Sequence, residues 1–203
     1  MGIILKLLLN YLCYNLNSEG DNMSIDEEII RLQKIKRLYS LINDITDDII
    51  RKYEVDIPLK DIDYLVSLFG GTIVNGNLFD KPEKTGRDTF NIYVSQWDKP
   101  RVRKIYALAR LGDVILHTNY LSDHYAYLDN DKMIYKPNTG IVSQVDMSNE
   151  FAFGLLMPKD NFKNTVNNFS ENGMVSLNKI ADYFDVPVSA AVTRGKHLGY
   201  KWD

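Results

Sequence analysis

The chain has 203 residues, of which 45% are hydrophobic and 25% charged, and it carries a net charge of −3. Such values belong to an ordinary globular protein with one domain-sized core, and the slight negative balance argues against a broad nucleic-acid-binding face. The single cysteine, Cys13, excludes an intramolecular disulfide and a cysteine-rich metal site, so a cytoplasmic location is expected.

Residues 1–22 form a leader. Ile3–Leu16 is apolar but interrupted by Lys6 and Asn10. It is short for a bilayer span. It also lacks the basic start and small-residue cleavage site of a signal peptide. Residues 19–23, Glu-Gly-Asp-Asn-Met, can be encoded by a purine-rich stretch ending in ATG, the pattern of a bacterial ribosome-binding site. The expectation is that the leader is translated upstream sequence and that Met23 is the true start. The alternative is an amphipathic helix docked on the domain. Ser24 and Glu27 then spell a capping box.

Residues 23–56 read as a helical segment. Ile25, Ile29, Leu32, Ile35, Leu38, Ile42, Ile45 and Ile49 recur every three or four residues. Asn43-Asp44 is where such a helix can break. After Pro58, Leu59–Phe69 is a shorter amphipathic helix, stopped by Gly70-Gly71. Thr72–Val74 is a short strand, Asn75-Gly76 a hairpin-type turn signal, and residues 77–87 an exposed loop. Thr89–Ser95 alternates as a half-buried strand, with Phe90, Ile92 and Val94 on one face. Asp98 and Pro100 start a helix that runs to about His117. Residues 118–144 are irregular, with a strand at Met133–Tyr135. A helix opens at Asp146 or Ser148 and is closed by Pro158. Phe162–Phe169 is a weak helix or loop, and Ser176–Phe184 and Ser189–Leu198 end the chain as a helix pair.

Two blocks carry the functional reading. Arg103–His117 has the apolar frame Ile105, Leu108, Leu111, Gly112, Ile115 and Leu116. Residues 148–158 read Ser-Asn-Glu-Phe-Ala-Phe-Gly-Leu-Leu-Met-Pro. Together they resemble the ImmA/IrrE family of metallopeptidases, in which an H-E-x-x-H helix precedes an E-x-E-A-N-x-F-A-x-x-L-L-M-P-like helix. Asn149, Phe151, Ala152, Leu155, Leu156, Met157 and Pro158 match the second block. The likeness covers roughly residues 57–200. It implies an α+β fold: a zincin-like helical core with a small antiparallel sheet and flanking N- and C-terminal helices. The implied domain is 57–160, with residues 161–203 packed on it as a helix pair.

The family's chemistry is written out of this chain. In H-E-x-x-H the two histidines sit one turn apart on one zinc, and the glutamate is the general base. The corresponding positions hold Ala109, Arg110 and Asp113, and the acidic positions that supply the third ligand hold Val145 and Met147. Alanine cannot ligate, and arginine cannot accept a proton. No catalytic residue and no cofactor are therefore expected, although active relatives use zinc.

Arg110, Asp113 and His117 share one helix face. An ion-pair cluster with Asp146 or Glu150 could fill the place of the metal. Equally, Arg110 and Asp113 could be solvated. A rearranged metal site would use Asp113, His117 and Glu150, with Asp123 or His124 as further candidates. In the closing helices, Leu177–Ser189 resembles the start of a helix-turn-helix, with Arg194, Lys196, His197 and Lys201 where a recognition helix meets DNA. The preferred reading is structural: Ile180, Ala181, Phe184, Val186, Val188, Ala191 and Val192 pack the pair on the domain, and Arg194 lies on the surface.

The resemblance implies a link to mobile elements and prophages, where relatives inactivate repressors. The expectation is a catalytically silent member that binds a repressor or other regulatory protein through the former substrate cleft. Neither membrane nor nucleic acid is an expected partner. An active peptidase with rearranged ligands and a DNA-binding regulator are the alternatives.

Overall fold

A computed structural model describes residues 24–77, 80–117, 142–171 and 174–202. The leader at 1–22, Met23, Asp123, His124 and the strand expected at Met133–Tyr135 lie outside the described residues.

The chain divides between Lys34 and Ile35 into two units. Helix α1 (Ile25–Lys52) opens in the N-terminal unit with the expected capping box. Ser24 N–H donates to Glu27 Oε2 at 2.9 Å, and Glu27 N–H donates to Ser24 Oγ at 3.3 Å. The helix continues without a break at Asn43-Asp44. Asn43 is turned inward, and its Nδ2 donates to Tyr39 O at 2.6 Å, one turn back.

The second unit, from Ile35, is a mixed α+β body. A short helix α2 (Ile62–Ser67) is capped by Asp61, whose Oδ1 accepts from Tyr64 N–H at 2.8 Å. Gly70 then turns the chain at φ 78°, and a Cβ there would lie 2.0 Å from Asp88 O, so no other residue fits without a backbone shift. Strands β1 (Gly71–Asn75), β2 (Glu83–Lys84) and β3 (Phe90–Val94) form a sheet in the order β1-β3-β2.

The antiparallel sheet expected from the sequence is corrected here. The main pair, β1 and β3, is parallel over its whole length, from Gly71 opposite Phe90 to Asn75 opposite Val94. Gly76 N–H donates to Val94 O at 3.0 Å and extends that ladder, so Asn75-Gly76 does not close a hairpin. The antiparallel pair is β2 with β3, across the turn where Thr85 and Gly86 N–H both donate to Thr89 O. The segment read as loop thus contains a strand.

Helix α3 (Pro100–His117) follows β3. Helix α4 (Gln144–Leu156) starts earlier than expected, because Ser143 caps it by accepting from Asp146 N–H at 3.1 Å. Helix α5 (Lys159–Asn168) replaces the weak helix or loop expected there, and a two-stranded hairpin follows, β4 (Ser170–Glu171) with β5 (Met174–Val175). Helices α6 (Leu177–Phe184) and α7 (Val188–His197) close the chain.

Helices α3 and α4, which carry the two sequence blocks, sit together in the core. A Cβ at Gly112 would lie 3.1 Å from the Phe151 ring, so the helices approach where a larger residue would hold them apart. Ala107, Leu108, Leu111 and Val114 of α3 and Phe151, Ala152, Leu155 and Leu156 of α4 are buried. The closing pair is part of the same core. Ile180, Ala181, Phe184, Val186 and Ala191 are buried, and Phe184 stacks on Phe162 at 6.0 Å. Val188, expected inside, is instead 39% exposed. Among the described residues no helix is long and apolar enough to cross a membrane.

Gly154 on α4 faces Thr46 on α1, where an added Cβ would lie 2.4 Å from Thr46 Oγ1. Gly154→Ala should destabilise by about 1–3 kcal/mol through overpacking. In the Thr46→Ala background the same substitution should cost measurably less, because the nearest atom is gone. Equal costs in both backgrounds, measured by chemical denaturation, would count against this contact.

Candidate functional site

The half-buried face of α3 contains the four positions that the family resemblance singled out. Ala109, Arg110, Asp113 and His117 all lie there at intermediate exposure, as the three- and four-residue spacing requires. Arg110 Nη1 and Asp113 Oδ2 form an ion pair at 2.9 Å, with both side chains about one quarter exposed (24% and 25%). The other carboxylate oxygen, Asp113 Oδ1, accepts from Ser148 Oγ at 2.5 Å. One carboxylate therefore joins α3 to α4.

His117 lies at the end of the same face. Burial lowers its pKa from the ordinary 6.5, against the opposing pull of Asp113 and a hydrogen bond to the backbone of Gln144.

Two residues expected in this cluster are elsewhere. Asp146 accepts from Ser143 Oγ at 2.7 Å in the cap of α4. Glu150 is fully buried and points away from α3. Ser148 and Glu150 are two residues apart on one helix, about 200° around its axis, so they face opposite sides. Val145 is 66% exposed at the start of α4. The rearranged ligand set Asp113, His117 and Glu150 is accordingly not assembled. Among the described residues no three His, Cys, Asp or Glu side chains group as a metal site.

Glu150 belongs to a second polar cluster that sequence reasoning did not find. Arg194 Nη1 donates to Glu150 Oε1 at 2.6 Å, Nη2 to Asn43 Oδ1 at 2.6 Å, and Nε to Met157 O at 3.0 Å. Asn43 Nδ2 also donates to Glu150 Oε1, at 2.8 Å. His197 Nδ1 lies 2.6 Å from Glu150 Oε2, and its ring packs 4.8 Å from that of Tyr39. Arg194 and Glu150 are both 0% exposed.

The expected surface position of Arg194 is thus wrong. Its stripe mates Ala190 and Ala191, three and four residues back, are buried, and that spacing carries position 194 to the same face. Of the four basic residues proposed to meet DNA, Arg194 and His197 are drawn to Glu150, while Lys196 and Lys201 remain exposed.

A third cluster fixes the start of α3 to the turn between α6 and α7. Arg101 pairs with Asp182 at 2.8 Å and Asp185 at 2.9 Å, and Lys104 with Asp185 at 2.7 Å. The hydrogen bond from Lys104 is the main cause of a lowered Asp185 pKa.

No family model, curated protein or solved structure matches this chain.

Arg194→Ala should destabilise by about 3–5 kcal/mol, because Glu150 would be left as a buried charge without its cation. Glu150→Gln combined with Arg194→Met should recover much of that loss. A change below about 0.5 kcal/mol in Arg194→Ala, the size of a surface substitution, would falsify the buried pair.

His117 gives a pH prediction. Its folded pKa is depressed, so its contribution is present above the unfolded value of about 6.5. It is lost as pH falls through the lower folded value, because the unfolded chain takes up the proton first. Wild type should therefore lose more stability than His117→Gln between neutral pH and pH values below about 6. Parallel pH–stability curves would remove the buried-imidazole assignment.

Proposed function

We propose that this chain is a catalytically silent, zincin-like protein of the ImmA/IrrE type. In this reading it binds a regulatory protein, such as the repressor of a mobile element or prophage, without cutting it. The observation that carries the reading is the Arg110–Asp113–Ser148 cluster. It stands on the two helices that resemble the family's metal-bearing pair, at the positions that would hold base and ligand. A guanidinium brings positive charge without a metal, and Asp113 spends both oxygens on Arg110 and Ser148.

A groove for the partner is supported by the half-buried stripe Arg103, Tyr106, Arg110, Asp113 and His117 along α3. Beside it, β2 pairs only with Phe90 and Asn91 of β3. Ile92–Val94 have no strand partner on that side among the described residues. An extended segment can add to such an edge through its main chain.

Two experiments test the reading. Rebuilding the motif as Ala109→His, Arg110→Glu and Asp113→His should create zinc affinity, with an acidic residue at Val145 strengthening it. A folded variant that gains no zinc by elemental analysis would remove the zincin frame from the argument. Co-purification from the source cell should then recover one partner at full length, weakened by Arg110→Glu. Recovery of a cleaved partner would favour the active peptidase instead.

A further inference from the structure

The carboxyl ends of the parallel strands β1 and β3 meet at one corner. There the chain turns through Ser95-Gln96-Trp97-Asp98 into α3. Trp97 is 86% exposed, the largest exposure among the exposed large hydrophobic side chains described. Its backbone is nevertheless tied down. Trp97 N–H donates to Ser95 Oγ at 3.2 Å and Asp98 N–H to Ser95 O at 3.4 Å.

The same carbonyl is gripped from α3. Arg103 Nη1 donates to Ser95 O and to Asn75 Oδ1, both at 3.1 Å. These two acceptors are neutral. No described carboxylate forms an ion pair with Arg103, and its Nε and Nη2 make no hydrogen bond to a described residue. The neighbouring cations differ: Arg101 and Lys104 are neutralised by Asp182 and Asp185. Lys99, between Trp97 and Arg103 in sequence, is exposed.

The corner therefore presents the exposed Trp97 indole on a hydrogen-bonded turn and, from the first turns of α3, a guanidinium with spare donors. The backbone of the turn is already ordered by the fold, which lowers the cost of using the tryptophan as an anchor. We infer that this corner is a docking site for a polypeptide segment in which one carboxylate lies beside apolar side chains. The carboxylate meets the forked donors of Arg103, and the apolar neighbours cover the Trp97 indole.

A nucleic acid could also stack on Trp97, but the charges favour a peptide. A phosphate backbone needs a run of cations to follow. Here Arg101 and Lys104 are already paired with Asp182 and Asp185. What remains is Arg103 and the exposed Lys99, enough for a single carboxylate with its surroundings but no track for a phosphate backbone. Arg103 also belongs to the stripe named in the silent-peptidase reading, but this inference uses none of positions 109, 110 and 113, so failure of the zinc reconstruction leaves it intact.

The test uses capped synthetic peptides with a central Phe-Asp-Phe in a Ser/Gly background, the same peptides with Lys in place of Asp, and a thymidine oligonucleotide. Binding to the full chain is followed by tryptophan emission. Trp202 is the only other tryptophan, and it reports from the far end of the chain, where its Nε1–H donates to Val192 O at 2.9 Å. The Asp peptide should shift the emission, and the shift should disappear in Trp97→Phe. Affinity should fall about tenfold in Arg103→Gln, the loss expected for a charge-assisted hydrogen bond. The Lys peptide should bind at least as weakly as the Asp peptide does to Arg103→Gln. Equal binding of the two peptides, unchanged binding in Arg103→Gln with the fold intact by circular dichroism, or tighter binding of the oligonucleotide would each overturn the inference.

Discussion

The second unit of this protein depends on the burial of Arg194 against Glu150. Both groups have left water completely. Such a pair is tolerable only if nearly every donor and acceptor is matched, because desolvating two charges costs several kcal/mol per ion. Here Asn43 accepts from the guanidinium and donates to the carboxylate, the Met157 carbonyl takes a third guanidinium donor, and His197 takes the second carboxylate oxygen. Burial pushes the Arg194 pKa down and Glu150 opposes the shift, so the pair itself keeps the arginine charged. The consequence is geometric specificity. Helices α1, α4 and α7 can satisfy the cluster in one relative arrangement, whereas an apolar seam would tolerate several.

That constraint gives α4 two different faces. Phe151 meets Gly112 on α3 and Ser148 meets Asp113, while Glu150 and Gly154 meet Arg194 and Thr46 on the other side. The helix is a wall between two polar clusters, one fully buried and one at a half-open surface. Their roles differ accordingly. The buried cluster fixes where α4 stands. The Arg110–Asp113–Ser148 cluster keeps about a quarter of its ion-pair side chains at the surface (24% and 25%), where an incoming group can reach it.

How much of this could be read from the residues alone depends on the kind of signal. Periodicity located α1, α3, α6 and α7 within a few residues, and Ser24–Glu27 and Gly70 behave as their chemistry dictates. Strand direction was not legible. Phe90, Ile92 and Val94 alternate in the same way whether the neighbour runs parallel or antiparallel, and Asn75-Gly76 marks a change of direction without saying which strand comes next. Grouping Arg194 with Lys196, His197 and Lys201 as one basic set places it on the surface, whereas it turns inward. The spacing contained the opposite message. Ala190, Ala191 and Arg194 lie on one stripe, and Glu150 lies one turn before Gly154 and next to the apolar run from Phe151, so two charges occupy core positions of different helices. Only pairing makes either position tolerable. Asn43 had no such signal, and only the packed structure reveals it as the third member.

The same reasoning bears on the face of α3 that meets α4. A purely apolar face would close the space between the two helices. The chain instead carries a charged pair and a hydroxyl at half-buried positions, and they join the helices by hydrogen bonds. Arg101 and Lys104, bonded to the turn between α6 and α7, fix the start of α3 independently. Its middle is fixed by Gly112 against Phe151. The ion pair at 110 and 113 is therefore one of three ties on the helix, and its half-buried position supports the proposal that α3 is a binding element.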